Sequence, residues 1–292
     1  MDIYGQLFFN GLAIGLVYVM LCSGMVLIQS VNQIIFIAFG QFYTIGAFLT
    51  WIGVDKLNFP YFAALAFGVA ISFILGALTY LLILRHIQFK QGKFLATLIA
   101  STGLMLVLQQ GSLLVFGTLP QSIPPIFKGT LNFWGITANI DKMTVIAMGI
   151  IITLFLFFFY EKSRIGRGMR ATSFSPEIAE MHGINTNLIF LVTLGVGTAM
   201  AGVAGGIIAP TYGIDPQMGA SVVWTIMAMT MVGGPDSLLG ALAGGLIVGQ
   251  ILSFGQFYIG GMVQVVLFVI IAIILFFKPN GLLGRGIDIG VE

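Results

Sequence analysis

The sequence predicts an all-α protein, a polytopic bundle of about nine helices that cross a lipid bilayer, and three observations carry that prediction. Of its 292 residues 58% are hydrophobic and only 8% are charged, whereas a water-soluble domain carries about 25% charge to hydrate its surface. The mean hydropathy is +1.06. The apolar residues also gather in continuous runs, not in the alternation of a membrane β-barrel, and each run is close to the ~20 residues a helix needs to cross hydrocarbon. Backbone amides in lipid can bond only to one another, so such runs must be helical.

Taken in order, the runs cover 8–28, 34–53, 61–84, 94–116, 143–160, 188–210, 218–234, 238–253 and 258–277. That is nine spans, one either way, in a single transmembrane domain over 1–292. The first lacks the basic flank of a cleaved signal peptide and is read as a retained span. Gly233, Gly234 and Pro235 interrupt 218–253, so short or re-entrant helices are expected there. Pairs at four-residue spacing (Gly11 and Gly15, Gly202 and Gly206, Gly240 and Gly244, Gly245 and Gly249) allow close helix approach in lipid, where dispersion packing drives association. The architecture leaves room for an inverted repeat, without a sequence match that marks one.

The loops carry the orientation. Arg85, Lys90, Lys93, Lys162, Arg164, Arg167, Arg170, Lys278 and Arg285 fall on one side of the spans, and Lys56, Lys128 and Lys142 on the other. Basic residues concentrate in cytoplasmic loops, so 85–93, 161–187 and the C-terminus are expected inside and the N-terminus outside. The Pro- and Gly-containing segment 117–142 is expected along the outer surface.

Every ionisable residue falls in a loop or at the edge of a span. Proton relays and most ion-coupling sites need such a group within the membrane, so self-powered secondary transport is disfavoured. Cys22 has no partner for a disulfide or metal pair. His86 and His182 form no zinc-helix pattern, and Gly92-Lys93-Phe94 is no phosphate-binding loop. No catalytic residue, metal site or cofactor is expected in this chain, and no nucleic acid among its partners. Active transport would need a separate ATPase; a stand-alone channel or facilitator fits the same absence of charge.

Segment 161–187 is the longest polar stretch. Ser175 suits a helix N-cap, Pro176 the first helical position and Glu177 the positive end of the dipole, while Gly183 supplies the left-handed stop. A helix of under two turns is not stable alone in water, so Ile178, Ala179 and Met181 need a surface. That surface is the anionic membrane face, drawn by Arg164, Arg167 and Arg170, or a cleft in a partner protein.

Here the chain resembles the permease subunits of branched-chain amino acid ABC importers. Arg170-Ala171, Pro176-Glu177-Ile178-Ala179 and Gly183-Ile184-Asn185 match the family's loop. Gly11-Leu12 to Gly15 with Tyr18 and Gly24 match its first span. Gly233-Gly234, Ser237, Gly240-Ala241 and Gly244-Gly245 match its glycine hairpin, and Lys278-Pro279-Asn280-Gly281-Leu282-Leu283-Gly284 its C-terminal motif. Length points to the H-type subunit. The resemblance implies a second, M-type permease, two ATP-binding subunits that hold the ATP, an external substrate-binding protein, and a place in the bacterial inner membrane. It implies that Arg170, Ser175, Pro176, Glu177, Ile178, Ala179, Glu180, Met181 and Gly183 couple the bundle to the ATPase. Family substrates are branched-chain and related amino acids, with relatives for urea, short amides and aromatic acids.

Two departures touch the path. Where the family often reads Asn-Phe-Ala-His-Gly, this chain reads Phe36-Ile37-Ala38-Phe39-Gly40, and where a lysine often opens the seventh span it reads Val222-Val223-Trp224-Thr225. The residues expected to border a route are Asn32, Gln33, Phe36, Phe39, Gln41, Tyr43, Gln109 and Thr225, with Gln110 and Gln264 as further polar groups. Gln41 and Gln109 lead, because uncharged hydrogen-bonding groups pass a zwitterion or an amide without holding it.

Overall fold

The computed structural model describes residues 3–88, 93–124, 129–133, 136–278 and 281–283. Lys90, Lys128, Pro279, Asn280, Gly284 and Arg285, used above for orientation and the C-terminal motif, lie outside them. Each of the nine apolar runs holds a helix. In chain order these are α1 (Ile3–Asn32), α2 (Phe39–Asp55), α3 (Tyr61–Thr79), α4 (Lys93–Phe116) and α5 (Ile140–Lys162), then α8 (Thr186–Tyr212), α9 (Met218–Gly233), α10 (Leu238–Ile259) and α11 (Val263–Phe277). The polar loop holds α6 (Arg164–Phe174) and α7 (Pro176–Met181).

Six helical runs among the described residues are long and apolar enough to cross a membrane. One is the 40-residue run Leu238–Phe277, broken at Gly260 by a positive φ of 60° into α10 and α11. At 1.5 Å per residue it measures about 60 Å, enough for two crossings. Helices α2 and α9 are shorter, 17 and 16 residues. The hairpin at 218–253 is therefore a short helix followed by a full one. A two-stranded antiparallel hairpin, β1 (Thr130–Phe133) with β2 (Ile136–Asn139), adds to the helical architecture within the segment expected along the surface.

The start of the second span differs from the sequence reading. The second apolar run opens at Ile34, yet α2 starts at Phe39. Gln33 adopts φ +54°, which ends α1, and residues 33–36 then run without helical bonds. Hydropathy cannot detect an unwound segment whose side chains are as apolar as the helices beside it.

Burial ranks the helices. The most apolar windows of α1 and α8 are 83% and 72% buried, that of α4 only 11%. Glycines explain the centre. A methyl built on Gly46 would strike Gly202, one on Gly249 would strike Gly15, and one on Gly40 would strike the Gly219 carbonyl. Dispersion is the attraction available between helices in lipid, and it needs this backbone proximity.

Polar staples finish the bundle. Pro210 lies inside α8 and has no N–H for the Gly206 carbonyl, one turn back. The Tyr61 hydroxyl donates to that carbonyl at 2.9 Å, joining α3 to α8. Tyr80, in a π turn (Tyr80–Leu84) that prolongs α3, donates to Asn187 at 3.1 Å. At the C-terminus of α9 the carbonyls of Val232 and Gly233 accept from Leu282 and Leu283 at 2.7 and 3.2 Å. The C-terminal motif thus satisfies groups that a helix end leaves unpaired. Asn32 at the end of α1 bonds to Phe190 near the start of α8, and Lys142 reaches Asn10 near the start of α1. Following the helices from these contacts puts Arg85, Lys162, Arg164, Arg167, Arg170 and Lys278 at one end, the basic end, and Lys56 and Lys142 at the far end.

Candidate functional site

Two features could do work: the loop at the basic end, and a line of cavities through the bundle.

The loop is anchored before it is offered. Ser163 caps α6 by accepting from the Gly166 N–H at 2.8 Å, and a side chain at Gly166 would strike the Tyr160 carbonyl, so α6 folds back tightly on α5. Arg170 fixes that fold. Its guanidinium donates to the Tyr160 carbonyl and, at 3.0 Å, to the Glu161 carbonyl. It also sits 3.6 Å from the Glu161 carboxylate and 5.4 Å from the Tyr160 ring. Met169 and Thr172 are fully buried beneath it.

Helix α7 follows with the ends its residues predict. Ser175 accepts from the Ile178 N–H at 3.3 Å, with Pro176 in the first turn. Gly183 takes φ +79° and the Ile184 N–H closes on the Ala179 carbonyl at 3.1 Å, a turn a side chain would strain. Glu180 accepts from the Thr186 hydroxyl, and Asn185 caps α8 by accepting from the Leu188 N–H at 3.2 Å. Six residues therefore hold a helix only because both neighbours clamp it.

The loop candidates divide by what they touch. Ala179 is 3% exposed and faces the bundle, whereas Ile178 and Met181 are 59% and 86% exposed, with Phe174 at 75%. Glu177 lies exposed beside them. Three large apolar side chains thus project from a polar, basic surface on a rigidly anchored arm. Apolar area left in water forgoes about 25 cal/mol per Å², and exposed clusters rimmed by polar residues mark contact surfaces.

The cavities lie along α1. Toward the far end, a cavity of about 440 Å³ is lined by Tyr18 and Leu21 of α1, Tyr43 of α2, Tyr212 of α8, Val222 of α9 and Gln256 of α10. Toward the basic end, a cavity of about 670 Å³ reaches Gln29, Ser30 and Gln33 on one side and Arg170 and Asp236 on the other. A third, about 400 Å³, shares Gln29 and Gln33 with it. Between the two groups sits a layer of phenylalanine. Phe36, Phe39 and Phe42 are at most 1% exposed, and the tip of Phe39 lies 3.2 Å from a methyl built on Gly24. Gly24 falls between Leu21, which walls the far-end (upper) cavity, and Gln29, which walls the two basic-end (lower) ones. Phe39 thus stands at the level of α1 that separates the cavities, with the Phe36 and Phe42 rings 5.9 Å apart.

The sequence-predicted path residues distribute unevenly over this arrangement. Tyr43 faces the upper cavity and Gln33 the lower ones. Phe36 and Phe39 form the layer between them. Asn32 is buried and donates to the Phe190 carbonyl at 3.3 Å, its own side-chain oxygen unpaired. Gln41 is 1% exposed and, among the described residues, neither atom of its amide has a hydrogen-bond partner. Thr225 is buried on α9. Gln109 is half-buried on the peripheral α4 and lines none of the three cavities, while Gln110 and Gln264 are exposed. Sequence reasoning did not assign Tyr18, Tyr212 and Gln256 to the path. The available signal was weak: Tyr18 is a polar side chain within the first apolar run, whereas Tyr212 and Gln256 fall just outside the runs 188–210 and 238–253.

The chain matches the model of the family described as branched-chain amino acid transport system / permease component over residues 7–277. It is 27% identical to the high-affinity branched-chain amino acid transport system permease protein BraD of Pseudomonas aeruginosa, over 97% of this chain and 96% of that protein. Against LivH of Escherichia coli K12, which bears the same description, it is 28% identical over 96% of this chain and 95% of the relative. A probable LivH of Methanocaldococcus jannaschii is 24% identical over 91% and 88%. A solved chain of PsaBC from Streptococcus pneumoniae in complex with Fab aligns over 96% of this chain and 93% of its own at 15% identity, with a TM-score of 0.48.

Proposed function

The chain belongs to the branched-chain amino acid transport permease family, a multi-pass membrane protein, and from that premise we propose how it works: as one of two permeases in an ATP-driven importer, with the cavity line as the solute path and α7 as the link to the ATPase. The observation that carries this reading is the anchored arm. Arg170 ties α6 to α5, α7 is clamped at both ends, and Phe174, Ile178 and Met181 project outward from it. A push on those side chains moves the ends of α5 and α8 together, because no slack separates them. Helix α8 packs along α1, whose residues wall all three cavities, and along α2, whose Tyr43 walls the upper one, and motion there separates or closes the phenylalanine layer.

The remaining assignments follow from the same reading. The basic end faces the cytoplasm of a bacterium, a reading the distribution of lysine and arginine supports, and the upper cavity opens outward, toward a substrate-binding protein. An M-type permease completes the membrane unit. Two ATP-binding subunits hold the nucleotide and do the chemistry, leaving this chain none of its own. Substrates are branched-chain or related amino acids. The phenylalanines at 36 and 39, where relatives of the loop pattern carry polar groups, close the path with greasy rings without denying it to an apolar cargo.

Replacing Ile178 and Met181 together with aspartate tests the link. The variant is expected to insert and purify as the wild type does but to lose co-purification with the ATPase. Retained co-purification would take the coupling role away from α7.

A further inference from the structure

We infer that the upper cavity is a specificity-determining binding site for a small solute without net charge, a zwitterionic amino acid with an apolar side chain, held by the hydroxyls of Tyr18, Tyr43 and Tyr212; this rests on the importer reading above. Three phenol groups and the Gln256 amide, from four helices far apart in sequence, converge on one space of about 440 Å³. Tyr43 is buried, Tyr18 is half-buried and Tyr212 is 56% exposed. Among the described residues none of the three hydroxyls makes a hydrogen bond within the chain, which leaves each free to bond to what occupies the cavity. Phenols elsewhere in the bundle are used structurally: Tyr61 bonds to Gly206 and Tyr80 to Asn187. The contrast separates tyrosines spent on the fold from tyrosines left facing a cavity.

The lining decides the class of ligand. Among the described residues no lysine, arginine, aspartate or glutamate borders the cavity. A solute of net charge entering it would lose its hydration with no opposite charge in return, which is costly. A zwitterion carries its own counter-charge, and hydroxyls that both donate and accept serve ammonium and carboxylate alike. Leu21, Val222 and their neighbours supply an apolar wall for the side chain. The volume falls in the range of about 300–1,000 Å³ usual for small-molecule sites. The site ends at the Phe39 layer, so a bound solute waits on the far side of the closure.

The test uses the whole transporter, with both permeases, the ATPase and the binding protein, in proteoliposomes. Uptake of L-leucine, L-phenylalanine, L-lysine and L-glutamate is measured for the wild type and for Tyr18→Phe/Tyr43→Phe/Tyr212→Phe, which removes only three oxygens. The neutral amino acids are expected to be taken up and the charged ones not. In the triple variant uptake should fall at least about tenfold, from three lost hydrogen bonds, while co-purification of the full complex persists. Uptake within twofold of wild type, or lysine or glutamate as the favoured cargo, overturns the site and leaves the importer reading standing. A wild-type complex that moves none of the four overturns the importer reading, and the site with it.

Discussion

The seam among α1, α2, α8 and α10 and the arm that carries α7 are both rich in small and apolar residues, and they use them in opposite ways. In the seam, Gly46 meets Gly202 and Gly15 meets Gly249 backbone to backbone, and Met20, Met25 and Ile28 have no exposed surface left. On α7 only Ala179 turns inward, and Ile178 and Met181 stand in the open. The difference teaches that burial within the chain marks what the fold consumes. Apolar side chains held outward on an immobile frame mark what a partner is to cover.

The largest effect that can break this comparison comes from the seam itself. Gly46→Leu forces a side chain into the Gly202 backbone, and overpacking of a tight core costs about 1–3 kcal/mol or more. Detergent-extracted protein should lose its single gel-filtration peak. The same change at Gly111 of α4, where a built methyl meets nothing within 4 Å, should leave the peak as it is. A next-smaller contrast lies within one turn of α7. Ala179→Asp puts a carboxylate where 3% of the residue is exposed and should lower the melting temperature and open the loop to protease. Ile178→Asp, on the open face, should shift stability by less than about 0.5 kcal/mol. The smallest effects concern single staples: Tyr61→Phe frees the Gly206 carbonyl and Ser175→Ala removes the α7 cap, each at about 1 kcal/mol. Thermal unfolding should register the first, and hydrogen exchange confined to 176–181 the second.

What the sequence revealed follows from where its signals are local. The spans were legible because a run of about 20 apolar residues has one solution in lipid. The ends of α7 were legible because Ser175, Pro176 and Gly183 act on their own backbone. Non-local features were hidden. The start of α2 moved from Ile34 to Phe39 because a left-handed Gln33 unwinds a stretch that hydropathy reads as helix. The upper cavity was invisible because Tyr18, Tyr43, Tyr212 and Gln256 meet only after glycine contacts set the register of four helices. Gln109 shows the same limit from the other side. A helix apolar all round does not announce which face turns inward, and on α4 very little does.

The central claim is that this chain shapes the path and a partner docked on α7 drives it. The direct test is solute accumulation in proteoliposomes containing the full complex, the complex without its ATPase, or this chain alone. Accumulation against a gradient is expected only in the first, and only with ATP on the side of the ATPase. Uphill accumulation by the chain alone would contradict the account.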